Sequence, residues 1–177
     1  MQRINKIEAA KRQLDTAIIM FFEKKDPLAV HTLACAAYDM LRNLAGNKTS
    51  QKLQTIKDNT VISANQKKDW QQELNNPQNF LKHADKDPNG ILDFFPEITQ
   101  YFLSDACNLY RHITTDITNP MIIYTGWFFT KNPNFLNPGE KQTTYKKIAE
   151  KLDTNNYSLF LNSILQLNKA KNIPNAF

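Results

Sequence analysis

Amides, ammonium groups, an imidazole and two carboxylates crowd into residues 76–88, the run Asn-Pro-Gln-Asn-Phe-Leu-Lys-His-Ala-Asp-Lys-Asp-Pro. Histidine is the side chain that titrates near neutral pH, so His83 beside Asn79, Lys82 and Asp85 has the right chemistry for general acid–base work. If the segment is helical, Asn79 and His83 stand four apart and share a face. In an enzyme, His83 would be the general base and Asn79 would orient it. Lys82 would meet anionic charge, with Asp85 alongside. The structural alternative has Asn79 and His83 tying a loop to the rest of the fold through backbone hydrogen bonds, while Asp85 and Asp87 cap the turn.

A second chemistry needs residues from farther apart. His31, His83 and His112, with Asp39 or Asp105, offer imidazole and carboxylate ligands, and a metal-dependent hydrolase would draw on His31, His83 and Asp105. No His-x3-His or Glu-x-x-His pair is present, so such ligands would have to converge from separate helices. Asp105 lies on an apolar stripe. A buried carboxylate there needs a partner, for which Arg42, Lys82, His83 and His112 are the candidates. Asp39 and Arg42, three apart, are placed to pair along one helix.

Other classes find little support. Cys35 and Cys107 sit among apolar neighbours without CxxC spacing and read as small buried hydrophobes in a reducing compartment. There is no Gly-x-Ser-x-Gly elbow and no phosphate-cradling glycine loop, so no cofactor is expected. Nor is there an apolar run near the roughly twenty residues a membrane span needs. The start lacks a signal-peptide core, which points to a cytoplasmic protein. The net charge of +5 comes from eighteen lysines and four arginines against seventeen acids. It permits RNA contact without requiring it. Lys48, Lys52, Lys57, Lys67 and Lys68 could form a basic patch. The acids Asp85, Asp87, Asp93, Glu97, Asp105 and Asp116 crowd the neighbourhood of His83 and disfavour a phosphate backbone there.

The elements that must position these residues read as helices. Four glycines in 177 residues and a 41% apolar content favour long regular elements in one domain, residues 1–170, with a frayed tail at 171–177. Six of eight prolines follow Asp or Asn, a natural way to begin a helix. Apolar residues at three- and four-residue steps predict helices over 3–25 and 27–45, the second ended by Gly46 and Asn47 and the most buried of all. Residues 47–65 read as a polar connection or short exposed helix. A helix over 65–75 is expected to kink or restart at Pro77. Further helices follow at 96–114, 121–130, 137–152 (opened by an Asn137–Glu140 capping box) and 155–167. The fold class is all-α, an up-and-down helical bundle with additional short C-terminal helices.

The run from Asn79 through Phe80, Lys82, His83, Ala84 and Asp85 to Asp87-Pro88 resembles the signature of a small, uncharacterised family of bacterial all-helical proteins. In that family a similar Asn-Phe-x-Lys-His-Ala-Asp-x-Asp-Pro segment follows two N-terminal helices. The residues around Ala-Val-His-Thr-Leu-Ala-Cys-Ala-Ala-Tyr-Asp (29–39) and Trp127-Phe128-Phe129 fit the same picture. That family implies the fold but no activity. More distantly, Asn79 and His83 are similar to the HEPN superfamily. Its nuclease members carry Arg, often followed by Asn, and then His after four to six residues. The Arg and His of two subunits meet at a dimer interface and cleave RNA without metal. Gln78 stands at the Arg position here, so the spacing survives without the guanidinium that would stabilise charge on the scissile phosphate. What the resemblance then implies is a non-catalytic binding or dimerisation module organised around residues 79–87. Its partner would be a second copy, another protein or RNA. The enzymatic alternative is a metal-independent ribonuclease using His83.

Overall fold

Asn5 opens the first helix by accepting the Glu8 N–H on Oδ1 at 2.8 Å, satisfying one of the amides a helix start leaves unpaired. The computed structural model describes residues 1–48, 54–58, 64–83 and 85–171. Helix α1 (Lys6–Phe22) buries Ala10, Leu14, Ala17, Ile18 and Phe22, a stripe at three- and four-residue spacing. Ile4 precedes the helix and is exposed. The end of α1 is sharp. Lys24 takes a left-handed φ of 53°, and the Lys25 N–H reaches back to the Met20 carbonyl at 3.0 Å. Asp26 then accepts the Ala29 N–H on Oδ1 at 3.0 Å and starts α2 (Pro27–Lys48), the Asx–proline start that the sequence implies.

Helix α2 packs between α1 and α4 (Ile98–Thr114) and is the central element. It buries Val30, Ala34, Cys35, Ala37, Tyr38, Leu41 and Ala45 on one broad face, while Leu28 at its start is exposed. It runs past Gly46 and Asn47 to Lys48 rather than stopping at Ala45. Gly46 does not take a positive φ, so it costs the helix about 1 kcal/mol in propensity and does not terminate it. Helix α3 (Ala64–Lys82) is likewise one helix, with Pro77 inside it, rather than two short helices. Leu74 and Gln78 on either side of the proline are buried and hold the helix to the body. Pro77 leaves the Glu73 carbonyl without its helical donor, and Glu73 is exposed, where water can satisfy that group.

The C-terminal helices are α5 (Asn119–Lys131), α6 (Glu140–Ala149) and α7 (Tyr157–Lys171). Thr118 caps α5 through a 3.4 Å bond from the Met121 N–H, so Asn119-Pro120 lies in its first turn. The Asn137–Glu140 capping box does not form. The chain enters α6 through Gly139 at φ 154°, a conformation L side chains rarely adopt, and no side chain caps the helix. Helix α5 rests against α1, α4 and α7. Its Trp127 is fully buried among Phe21, Phe22, Tyr124 and Tyr157, with ring centroids 4.9–5.9 Å away. The indole N–H donates to the Thr154 carbonyl at 2.9 Å, which fixes the polar end of an otherwise apolar anchor. The result is an all-α bundle with short C-terminal helices, without a strand among the described residues. No helix among those residues is long and apolar enough to cross a membrane. Cys35 and Cys107 are both buried and unpaired.

Candidate functional site

Helix α3 ends where the sequence concentrates its chemistry. The His83 N–H donates to the Asn79 carbonyl at 3.0 Å and extends the helical pattern, and the Lys86 N–H donates to the His83 carbonyl at 3.0 Å. Asp87 to Gly90 closes a turn with a 3.2 Å bond between its ends. The Asp87 carboxylate lies over Gly90, in the space a Cβ there would occupy. Asn79, Lys82, His83 and Asp85 are thus brought together, but as an exposed patch. Among the described residues its hydrogen bonds are main-chain bonds within the segment, and none of these four side chains bonds to the bundle.

The tie to the bundle lies one residue earlier. Gln78 is buried and its Nε2 donates to Asp39 Oδ2 at 2.9 Å. The other oxygen, Oδ1, takes the Lys57 ammonium at 2.9 Å. Lys57 is only 6% exposed, and its Nζ lies 5.3 and 5.6 Å from the ring centres of Tyr38 and Phe102. The ammonium therefore has both a carboxylate and two π faces, the compensation a buried charge requires. Lys57 belongs to a single 3-10 turn (Ile56–Asp58) within the stretch that reads as an unremarkable polar connection. Trp70 and Gln71 of α3 donate to the Ile56 and Lys57 carbonyls at 2.8 and 3.0 Å. Arg42 grips Asp58 with two bonds of 2.7 and 2.8 Å, and the Tyr38 hydroxyl meets Thr55 Oγ1 at 2.7 Å. Arg42 therefore serves Asp58 rather than Asp39. The expected basic patch does not form around Lys57, which points inward. Lys68 is exposed, while Lys52 and the side chains of Lys48 and Lys67 lie outside the described residues.

Asp105 supports the same turn from the opposite side by accepting the Ile56 N–H on Oδ2 at 2.6 Å. None of Arg42, Lys82, His83 or His112 pairs with it, and His112 is exposed on the outer side of α4. Burial raises the Asp105 pKa to about 6, with the Asp58 charge adding to the rise and the Ile56 N–H opposing it. Asp105 lines a cleft of about 310 Å³ with Tyr101, Phe128, Phe129 and Phe135 on one side and the polar Gln54, Thr55, Ser104 and Asn108 also in its lining.

His31 is fully buried, with Nδ1 2.9 Å from Thr99 Oγ1 and Nε2 3.3 Å from Cys35 Sγ. Burial lowers its pKa to about 4, helped by the Lys57 charge, and burial raises Cys35 to about 12. The pair is a neutral imidazole and a thiol, the opposite of an activated cysteine. His31, His83 and Asp105 thus occupy three different settings. Among the described residues no group of three or more His, Cys, Asp or Glu side chains is arranged to hold a metal.

A groove of about 660 Å³ runs between α3 and residues 91–98. Its outer wall is an extended segment with period-two alternation. Phe94 turns inward, its ring 5.1 Å from that of His31, while Ile91 and Phe95 are 92% and 73% exposed. Trp70, Leu74 and Pro77 of α3 line the facing side. The apolar pattern of residues 91–95 was the available sequence signal for this groove. No comparable local signal marks Gln78. No family model, curated protein or solved structure matches the chain.

Proposed function

We propose that this chain is a non-catalytic protein-binding module that takes an apolar segment of a partner, flanked by basic residues, into the groove between α3 and residues 91–98. The observation that carries this reading is the exposure of Ile91 and Phe95 on a segment that Phe94 anchors to the buried His31. Two large side chains held in water on a fixed frame stand to gain about 1.5–3 kcal/mol each when a partner covers them. Charge selects the partner. Asp69, Glu73, Asp85, Asp87, Asp93 and Glu97 are exposed on α3 and the following loop, against Lys68, Lys82 and Lys86. Of these acids Glu73 and Asp93 line the groove itself, and that charge favours basic flanks on the occupant and disfavours a nucleic-acid backbone.

Gln78 gives further support. The residue at the arginine position of the HEPN spacing is spent on Asp39 inside the bundle, so this reading keeps the kinship as that of a binding version. The test is selection from a displayed random peptide library, with wild-type protein and the double substitution Ile91→Ser, Phe95→Ser as targets. Both residues are exposed, so the variant should melt with the wild type. The expected result is enrichment of peptides with apolar anchors beside Lys or Arg, bound at least tenfold more weakly by the variant. Equal binding to both proteins, or no enrichment, would overturn the reading. A wild-type dimer in light scattering that the double substitution dissolves would make a second copy the occupant instead.

A further inference from the structure

We propose that the cleft at Asp105 is a binding site for a small organic cation, an ammonium headgroup carried on an aliphatic body. Three observations converge on it. The carboxylate is mostly enclosed, yet its one hydrogen bond is the 2.6 Å bond from the Ile56 N–H, and no ion pair among the described residues includes it. The nearest basic groups are committed elsewhere, Arg42 to Asp58 and Lys57 to Asp39. With those pairs made, Asp105 is the carboxylate of this group that no cation among the described residues offsets.

Four aromatic rings form one wall of the cleft, and Gln54, Thr55, Ser104 and Asn108 give it neutral polar edges. Tyr101, Phe128 and Phe135 contact one another with ring centres 5.5–5.8 Å apart, and Phe129 completes that wall. Ring faces carry partial negative charge and attract ammonium groups, quaternary ones most readily because they are weakly hydrated and cheap to strip of water. Phe135 is 62% exposed, unusual for a ring at the end of a well-packed cluster, and it stands where a ligand entering the cleft would cover it. A metal ion would find a single carboxylate among neutral side chains (Gln54, Thr55, Ser104 and Asn108), too little anionic charge for a hard dication. An anion would meet like charge. A neutral apolar molecule would leave the carboxylate unpaired. An organic cation satisfies both the acid and the rings, and 310 Å³ accommodates a headgroup of choline size with its short chain.

The experiment is calorimetric titration of the full chain at low salt and pH 8 with choline, with n-butylammonium, and with 3,3-dimethylbutan-1-ol, the uncharged carbon analogue of choline. At least one of the two cations should bind saturably, and the neutral alcohol at least tenfold more weakly. Asp105→Asn keeps an oxygen for the Ile56 N–H, so it should fold and still lose at least tenfold in cation affinity. Phe135→Ala, at an exposed position, should lose several-fold. Equal binding of the neutral alcohol would make the cleft merely apolar and overturn the proposal. So would unchanged cation binding in Asp105→Asn, or no binding of either cation by the wild type. None of these outcomes depends on the peptide groove, which shares no lining residue with this cleft, so the two readings stand or fall separately.

Discussion

Two carboxylates brace the same 3-10 turn, and they are treated in opposite ways. Asp39 has a cation on one oxygen and a side-chain amide on the other. Asp105 has a single backbone N–H and no cation. Both help hold residues 56–58 in place, so position alone does not separate them. Compensation does. A paired buried charge is what structure requires, and an unpaired one weakens the fold unless something else uses it. By that criterion the Asp39 cluster is scaffold and the Asp105 cleft is a site.

The largest effect expected from breaking this contrast lies on the Asp39 side. Lys57→Met removes the ammonium and leaves the carboxylate with Gln78 alone. Asp39 retains 34% of its side-chain surface in water, which tempers the loss to about 2 kcal/mol. In a chain of this size that corresponds to a melting temperature lower by roughly 4–8 °C. Adding Asp39→Asn should recover part of the loss, since the double variant no longer carries an unpaired charge. A double variant as unstable as the sum of the two singles would show that the pair is not coupled.

Asp105 predicts the opposite sign. Its folded-state pKa of about 6 lies above the ordinary 3.8, so the folded protein holds this proton more tightly than the unfolded chain does. The group's contribution is therefore most favourable in acid, declines as pH rises from about 4 to about 6, and is an unrelieved cost above that. Asp105→Asn should stabilise the protein at pH 8, on the order of 1–2 kcal/mol once the new amide's own needs are counted. The gain should shrink towards pH 5, where the native carboxyl is already protonated. Parallel melting curves at the two pH values check this. A variant less stable than wild type at pH 8 would mean that the carboxylate has a cation after all.

A third variant, Gln78→Leu, divides the Asp39 cluster more finely. Lys57 still covers one oxygen, so the loss should be about 1 kcal/mol, the value of one hydrogen bond to a charged group less the gain from a buried leucine. Urea unfolding at constant slope would read it. A loss matching that of Lys57→Met would put Gln78, not the ammonium, at the centre of the cluster.

Much of the bundle was legible in the sequence because its cause is local. Leu14 and Ile18 recur at helical spacing, Asp26-Pro27 caps as its chemistry suggests, and the all-α class follows from such stretches. Where a residue's role depends on what the fold brings to it, local pattern was silent. Pro77 resembles a break, yet helix continuity there depends on Leu74 and Gln78 being buried on either side. Lys57 resembles a surface lysine, and its partner Asp39 lies 18 residues back, on another helix. Asp105 was visible as an acid on an apolar stripe. Its partner turned out to be a backbone amide 49 residues away, which no side-chain inventory could name.

The smallest effect is expected one turn along α3 from Gln78, and it tests the contrast where chemistry seemed densest. His83 and Asn79 are exposed and joined to the fold by main-chain bonds alone. Alanine keeps those bonds and suits the end of a helix, so His83→Ala and Asn79→Ala should each stay within about 0.5 kcal/mol of wild type. Total RNA incubated with wild type and with His83→Ala should also give identical profiles, because no arginine stands beside the imidazole and Gln78 points inward to Asp39. A profile degraded by the wild type and spared by His83→Ala would restore the ribonuclease reading. It would also show that an exposed histidine here needs no buried partner to do chemistry. A fall of several degrees in melting temperature for either variant would instead place the patch with Asp39, in the scaffold.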